Sequence, residues 1–241
     1  MDSFFASSER RTFTYTKPLV VAPPKPPREL NRLDFLNWTP TPAVLQRRLA
    51  ASLRALAPKV DAIILLDQVD TPETGVITRS LLKTIAAIQS RQPRLLIIAD
   101  SRQRLGEFPP IHFKMNRAEL SKLAGSSKLI PVRAVAKAAS ALARKKGNGC
   151  FVTMADKGIV AAEPGGTVEH IPALPVRSEI DVVGAGDCVT ANLTTALASG
   201  ATLREALQIA NTAASVVLHK LGTTGTASIQ EIRRLLCPAH F

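Results

Sequence analysis

Short apolar segments of strand length alternate with amphipathic segments along most of the chain. Residues 61–67 and 94–100 are nearly continuous apolar runs, whereas apolar residues recur at helical spacing over 41–56 and 78–89. The alternation continues with strands predicted at 111–115, 150–154 and near Ile159 and Val168, and with helices predicted over 131–145, from Gly184 and from Thr202. Buried strands separated by helices predict an α/β fold with a mostly parallel sheet covered on both faces. Ligands of such sheets bind beyond the carboxyl ends of the strands.

The first forty residues have a different composition. Seven of the 17 prolines lie between residues 18 and 42. Because proline has no backbone N–H, this segment is predicted to be extended or looped, with an edge strand around residues 15–21. The chain therefore divides into a proline-rich segment, residues 1–40, and a core, residues 41–241. Thr41 and Pro42 are expected to cap and begin the first helix of that core.

Charge and composition narrow the class of protein. The chain has 31 Lys and Arg against 19 Asp and Glu, and the resulting charge of +12 favours anionic partners. A hydrophobic content of 46% excludes a wholly disordered chain. The three cysteines are too widely spaced for a disulfide framework or a zinc site, and they fit a reducing cytoplasm. No apolar stretch approaches the roughly 20 residues of a membrane span, so we expect a cytoplasmic protein without membrane contact.

The most informative segment is residues 181–187, Asp-Val-Val-Gly-Ala-Gly-Asp, which opens a predicted helix. Its two glycines let the backbone approach a ligand closely, and the free amides of a helix start bind anions such as phosphate. Asp187 lies in the first turn of that helix. It is either an acid that complements the helix dipole or a general base that deprotonates an attacking hydroxyl. The motif by itself leaves both interpretations open.

Four segments in this order resemble the ribokinase-like (PfkB) family of carbohydrate kinases. Residues 181–187 resemble the family signature Asp-Thr-Thr-Gly-Ala-Gly-Asp, and residues 114–120 resemble Lys-Pro-Asn-Arg-x-Glu-Leu. Residues 152–158 resemble its Val-Thr-x-Gly-x-x-Gly turn, and residues 210–224 its closing helix and loop. Two further segments, 30–35 and 98–102, resemble the kinase domain of bifunctional heptose 7-phosphate kinase/ADP-heptose synthase.

The resemblance implies a three-layer ribokinase-like fold and phosphorylation of a sugar or sugar phosphate by ATP, with a heptose 7-phosphate-like acceptor favoured. It assigns Asp187 as the catalytic base. The transferring phosphate is expected at an anion hole formed by Gly184, Ala185 and Gly186. The other assigned residues would bind cofactors: Asn116 and Glu119 for Mg²⁺ through water, Thr153, Gly158 and Asn211 for the nucleotide, and Asp181 with the Gly222 loop for K⁺. The alternative interpretations are strand-end capping for Asn116 and Glu119, a turn glycine for Gly158, and a solvated helix face for Asn211.

The sequence also departs from the family pattern. Ala155 replaces the first glycine of the Thr-x-Gly-x-x-Gly turn, and Met115 replaces a proline. The first strand and the Gly-Gly-x-x-x-Asn segment of the family are absent, so we expect a sheet truncated at its N-terminal side and only a remnant of the β lid, over residues 12–34.

Three explanations of this absence remain open: a fragment of a longer kinase, a homodimer or partner that completes the sugar site, and a degenerate relative that binds nucleotide without catalysis. The unpaired edge of a truncated sheet favours a partner or a longer chain.

Other functions are less well supported. The Walker pattern and the dinucleotide-binding Gly-x-Gly-x-x-Gly are absent. A basic nucleic-acid-binding protein is the alternative from another class, but no recognised motif or aromatic cluster accompanies the charge. The expected partners are therefore ATP and a small sugar, with nucleic acid not favoured.

Overall fold

The N-terminal segment forms two separate two-stranded antiparallel ribbons. The structure, a computed structural model, describes residues 3–237. In one ribbon β1 (Thr14–Thr16) pairs with β4 (Leu33–Phe35), and in the other β2 (Leu19–Ala22) pairs with β3 (Lys25–Glu29). The single edge strand predicted around residues 15–21 is thus split between two ribbons, because residues 17 and 18 interrupt it. Pro18 lies at this break, where its fixed φ and missing N–H disfavour a continuous ladder.

The remaining strands form one six-stranded sheet. In chain order they are β5 (Ala62–Asp67), β6 (Leu96–Ser101), β7 (His112–Asn116), β8 (Cys150–Thr153), β9 (Ile159–Ala162) and β10 (Val168–Ile171). The sheet order is β10-β9-β8-β7-β6-β5, with β5 to β8 parallel and β9 and β10 antiparallel. This arrangement confirms the mostly parallel sheet. The polar ends of β5 to β7 therefore meet at one edge, the carboxyl edge.

The part of the chain that the structure describes contains seven α-helices: α1 (Ala43–Leu56), α2 (Arg79–Arg91), α3 (Arg117–Leu123), α4 (Val132–Lys146), α5 (Ala185–Ala198), α6 (Leu203–Leu218) and α7 (Ile229–Leu236). The first six lie along the two faces of the sheet, and α7 packs on α6. The capping box predicted at Thr202 is present, since its hydroxyl accepts from the Glu205 amide at 3.3 Å. Thr41, however, does not cap α1. Pro42 is the N-cap, and the Thr41 hydroxyl instead donates to the Gly75 carbonyl at 2.7 Å, because the 71–77 loop packs on this helix start.

Two apolar clusters join the layers. On one face Phe113 and Met115 pack with residues of α2 and α4. On the other face Ile98 and Phe151 pack with α5 and α6. Successive strand residues such as Ile97 and Ile98 enter opposite clusters because side chains alternate across a sheet. The result is a three-layer α/β fold, as predicted.

The outer edge of β5 contrasts with this packing. Within residues 3–237 no strand pairs with it. Leu65 faces the α1–α2 side and is buried, whereas Ile64 and Leu66 are 37% and 43% exposed on the opposite side. Apolar side chains are therefore exposed at the free edge of the sheet.

Candidate active site

The turn before α5 is built for close approach to a ligand. Gly184 is the N-cap of α5 and has φ of +80°, a left-handed conformation that side chains disfavour. A Cβ there would lie 2.6 Å from Cγ2 of Thr224, so no other residue fits without movement. Ala185 and Gly186 follow in the first turn, where helix amides lack a carbonyl partner within the helix. These are the amides that the sequence predicts as an anion hole.

Asp187 projects from the same first turn and is exposed. Its carboxylate makes no hydrogen bond to any residue in the described range, so it does not satisfy the amides of its own helix start. Asp187 therefore does not cap the helix through a side-chain hydrogen bond. As an acid in the first turn it still complements the helix dipole, so the dipole and general-base interpretations both stay open.

Asn116 and Glu119 form a capping box at the start of α3. The Asn116 side chain accepts from the Glu119 amide at 2.9 Å, and the Glu119 carboxylate accepts from the Asn116 amide at 2.7 Å. The capping interpretation is therefore present in the structure. Burial raises the pKa of Glu119, and this outweighs the opposing effects of the Asn116 amide and Lys114.

No cluster of three acidic, His or Cys side chains able to hold a metal occurs among the described residues. One oxygen of Glu119, Oε1, makes no hydrogen bond to the described residues. This donor set fits Mg²⁺ that keeps most of its water and takes further oxygens from phosphate.

A buried ion pair lies beneath the anion-hole turn. The Lys114 ammonium is 2.8 Å from Asp100 Oδ2, and the Thr190 hydroxyl of α5 donates to the same oxygen at 3.1 Å. Both charged residues are about 5% exposed. The Lys114 Nζ lies 3.2 Å from where a Cβ of Gly186 would stand, so this glycine leaves room for the ammonium beside the first turn of α5.

Lys114 and Asp100 received no role from the sequence. Both lie inside segments that carry the family resemblance, 114–120 and 98–102. The sequence shows an ionisable residue within each of two apolar strands. It does not show that the two residues pair, because they are 14 positions apart and the Thr190 contact spans 90 residues. Only the parallel sheet brings them together.

A cavity of about 860 Å³ lies against the same edge, between the 153–159 turn, the 173–182 segment and the helices α5 and α6. It brings together six of the predicted residues: Asn116, Thr153, Gly158, Ala185, Gly186 and Asn211. The other five predicted residues do not line it: Glu119, Asp181, Gly184, Asp187 and Gly222. Its walls are mostly apolar, which suits a flat base, and it opens on the anion-hole turn. A second groove, of about 1030 Å³, lies at the amino ends of the strands and contains none of the predicted residues.

The turn between β8 and β9 contains two residues with positive φ, Ala155 and Gly158. Gly158 has φ of +83°, and a Cβ there would lie 2.0 Å from the Ile171 carbonyl, so this position requires glycine. Ala155, which replaces the first glycine, has φ of +53°. Ala155 therefore has a left-handed backbone, which costs roughly 1–2 kcal/mol for a residue with a Cβ.

Asn211 is buried, at 8% exposure, and its side-chain amide donates to the Pro172 carbonyl at 2.8 Å. The interpretation of a solvated helix face is therefore wrong for this residue. Asn211 fixes the 172–176 segment that forms one wall of the cavity.

Asp181 joins two loops. Its Oδ1 accepts from the Val183 amide at 3.0 Å and its Oδ2 accepts from the Gly222 amide at 3.2 Å. The carboxylate thus ties the anion-hole turn to the 220–226 loop. Carboxylate and loop carbonyl oxygens are donors that suit K⁺, although both Asp181 oxygens already accept an amide hydrogen.

The profile of the pfkB family carbohydrate kinases matches residues 81–230, which is more than half of the chain. The chain belongs to the PfkB family. Among its curated relatives are the bifunctional HldE proteins of Bradyrhizobium sp. (strain ORS 278), 29% identical over 208 residues, and of Rhodopseudomonas palustris (strain TIE-1), 30% identical over 208 residues. Each alignment covers 86% of this chain and 41% of the relative. The chain thus spans about two fifths of the length of these relatives.

Solved structures agree on the fold. Phosphofructokinase-2 from Escherichia coli in complex with potassium superposes with a TM-score of 0.70 and 23% identity, over 85% of this chain and 65% of that one. Ribokinase from Arabidopsis thaliana in complex with ribose and ATP gives a TM-score of 0.65 and 18% identity, over 86% of this chain and 65% of that one. The three-layer fold of this PfkB chain is therefore ribokinase-like. No helix in residues 3–237 is long and apolar enough to cross a membrane.

Proposed function

We propose that this PfkB chain transfers the γ-phosphate of ATP to a hydroxyl of a sugar or sugar phosphate. The observation that carries the proposal is the grouping of the free Asp187 carboxylate and the buried Lys114 ammonium around the Gly184–Gly186 turn, whose residues Ala185 and Gly186 line the cavity. The base and ribose of ATP would occupy that cavity, and its phosphates would reach the turn before α5.

The charges at the turn support phosphoryl transfer. In the transition state, the transferring phosphoryl group carries negative charge on its outer oxygens. Positioned hydrogen-bond donors and cations therefore lower the activation barrier of the transfer. The amides of the first turn of α5 and the buried Lys114 ammonium lie on one side of this position. Asp187 would accept the proton of the attacking hydroxyl.

Asn116 and Glu119 would hold Mg²⁺ through water, and the ion would neutralise charge on the ATP phosphates. Asp181 and the 220–226 loop would hold K⁺, by analogy with the potassium complex of phosphofructokinase-2. With or without K⁺, the Asp181 carboxylate fixes the turn before α5 and the 220–226 loop relative to each other.

A heptose 7-phosphate-like acceptor is the favoured substrate. The support is the HldE relatives and the matching segments 30–35 and 98–102. The acceptor would lie between Asp187 and the ribbons, where the Tyr15 hydroxyl of β1 donates to the Gln68 carbonyl at 3.2 Å. The free edge of β5 leaves room for a second copy or a partner that completes this side. We place the protein in the cytoplasm, since its three cysteines are unpaired.

The test of this proposal is Asp187→Asn, assayed for transfer to heptose 7-phosphate and for ATP binding. Loss of a general base typically costs 10²–10⁴-fold in rate, so turnover should fall by at least about 100-fold while ATP affinity stays within about twofold. Full turnover by the variant would show that Asp187 is not the base. A wild-type chain that binds ATP but transfers nothing would instead support the nucleotide-binding, non-catalytic alternative.

A further inference from the structure

The excess positive charge is concentrated in one segment. Residues 114–146 contain nine Lys and Arg but a single acid, Glu119, so this segment contributes +8 of the chain's +12. One ATP site does not account for a charge of this size. The distribution therefore points to a surface feature of the helices that this segment builds, α3 and α4.

The exposed side of α4 is almost entirely basic. Arg133, Lys137 and Arg144 follow one another at intervals of four and seven residues, which places them on one face, and Lys145 borders that face. These four exposed residues form what we call the basic α4 face. The opposite side of α4 is packed into the core through buried residues, namely Val135, Ala139 and Ala143.

Lys146, in contrast to these four residues, is a cation of α4 that has structural contacts. Its ammonium donates to the carbonyls of Gly106 at 3.2 Å and Phe108 at 3.4 Å, and it lies 5.4 Å from the centre of the Phe113 ring. In contrast, no member of the basic α4 face forms an ion pair within residues 3–237. The fold therefore does not use these four charges in ion pairs.

Helix stability does not explain them either. Arg144 and Lys145 lie in the last turn, where cations are favoured by the helix dipole, but Arg133 lies in the first turn, where they are disfavoured. Arg133 and Lys137 are also like charges four residues apart, a spacing that destabilises a helix. The first turn of α4 contains no acidic residue to offset this repulsion. The arrangement costs stability unless an anion binds.

The chemistry of the face indicates which anion. Ala141 is the one apolar residue exposed on α4, so the helix has nothing to insert into a lipid surface. No aromatic side chain lies on the helix, so bases of a single strand have no stacking platform. A straight row of cations along a helix of about 22 Å suits a partner with evenly spaced charge. A nucleic-acid duplex presents about one phosphate charge per 1.7 Å of its axis.

We propose that the basic α4 face binds the phosphate backbone of a nucleic-acid duplex without reading its sequence. None of the four residues of the basic α4 face lines the nucleotide cavity, so the duplex and ATP bind at different places. This binding is a second activity of the chain and does not depend on phosphoryl transfer.

The test is fluorescence anisotropy of the full chain with a labelled 20-base-pair duplex, in one arm DNA and in the other RNA, over a range of salt concentrations. The variant R133Q/K137Q/R144Q/K145Q removes the face. The control R47Q/R48Q/R233Q/R234Q removes the same number of exposed charges from α1 and α7. Each phosphate contact contributes about −0.9 to the slope of log K against log salt, so four contacts predict a slope near −3.6.

The expected result is binding by the wild type and the control with that slope, and at least a tenfold loss with a slope near zero for the face variant. Equal binding of the DNA and RNA duplexes indicates that the phosphate backbone they share is recognised. A preference for one of them identifies which duplex the protein binds. The proposal is overturned if the wild type binds neither duplex at low salt, or if the control loses as much as the face variant. Displacement of the duplex by Mg·ATP, or equally well by polyglutamate, also overturns it, since the first places it in the nucleotide cavity and the second indicates an acidic protein partner.

Discussion

The core at the carboxyl edge and the N-terminal ribbons are held in place by different forces. In the core, Phe113 and Met115 are at most 1% exposed. In the ribbons every residue of β1, β2 and β4 is exposed, and Phe35 is 53% exposed.

Polar contacts attach the ribbons to the core. Arg10 donates to the Thr39 and Thr74 carbonyls, and the Arg102 guanidinium lies 5.6 Å from the centre of the Tyr15 ring. The comparison teaches that the core is stabilised by its own apolar packing, whereas the ribbons depend on a few hydrogen bonds and a cation–π contact at their base.

The largest expected effect separates the two regions by stability. Phe113→Ala removes a fully buried ring from the core and should lower the free energy of unfolding by about 3–5 kcal/mol. Phe35→Ala in β4 changes an exposed ring and should alter it by less than about 0.5 kcal/mol. Urea unfolding of both variants measures the difference. Equal losses would mean that the ribbons share the packing of the core.

The second effect concerns the buried ion pair at the site. Lys114→Met leaves the Asp100 carboxylate buried without its cation, which should cost about 3–5 kcal/mol of stability. It also removes the charge beside the anion-hole turn, so phosphoryl transfer should fall more than tenfold in the fraction that folds. The matched control is Lys122→Met, which changes an exposed lysine eight residues away and should alter neither quantity. Restoring stability but not turnover with Lys114→Met/Asp100→Asn would separate the two roles.

The smallest effect distinguishes two capping boxes by pH. Burial raises the pKa of Glu119 at the start of α3, whereas at the start of α7 the Lys220 ammonium and the Ser228 amide and hydroxyl lower the pKa of Glu231 to about 2. As pH falls, protonation of Glu119 relieves the cost of its buried charge, while the stability that Glu231 contributes above its ordinary pKa is lost toward pH 2. Carboxyl NMR titration checks the order. A lower pKa for Glu119 than for Glu231 would contradict the burial of Glu119.

The fold was predictable because its pattern is local. Each strand of the sheet is a short apolar run, and Thr202 with Glu205 marks a helix start three residues apart. The ribbons were not predictable in detail, since β1 pairs with β4 across 19 residues and prolines obscure the alternation. The short helices α3 and α7 were missed, because their seven and eight residues give too little periodicity.

The site, like the fold, has parts that the sequence predicts and parts that it does not. The Gly184 turn and Asp187 lie within one motif, so the sequence alone located them. Lys114, Asp100 and Thr190 come from two strands and a helix, and their contact exists only once the sheet has formed. Asn211 was named for the nucleotide, yet its contact with the Pro172 carbonyl could not be seen in a sequence where the two are 39 residues apart.

The central claim is that the carboxyl edge forms an ATP site supported by the core and independent of the ribbons. Isothermal titration calorimetry of Mg·ATP into the folded chain tests it most directly, with Tyr15→Leu as a companion variant that weakens the contact between the ribbons and the core. The account predicts one ATP per chain and the same affinity in both proteins. Absence of binding in a folded wild-type sample, or loss of binding in the Tyr15 variant alone, would contradict it.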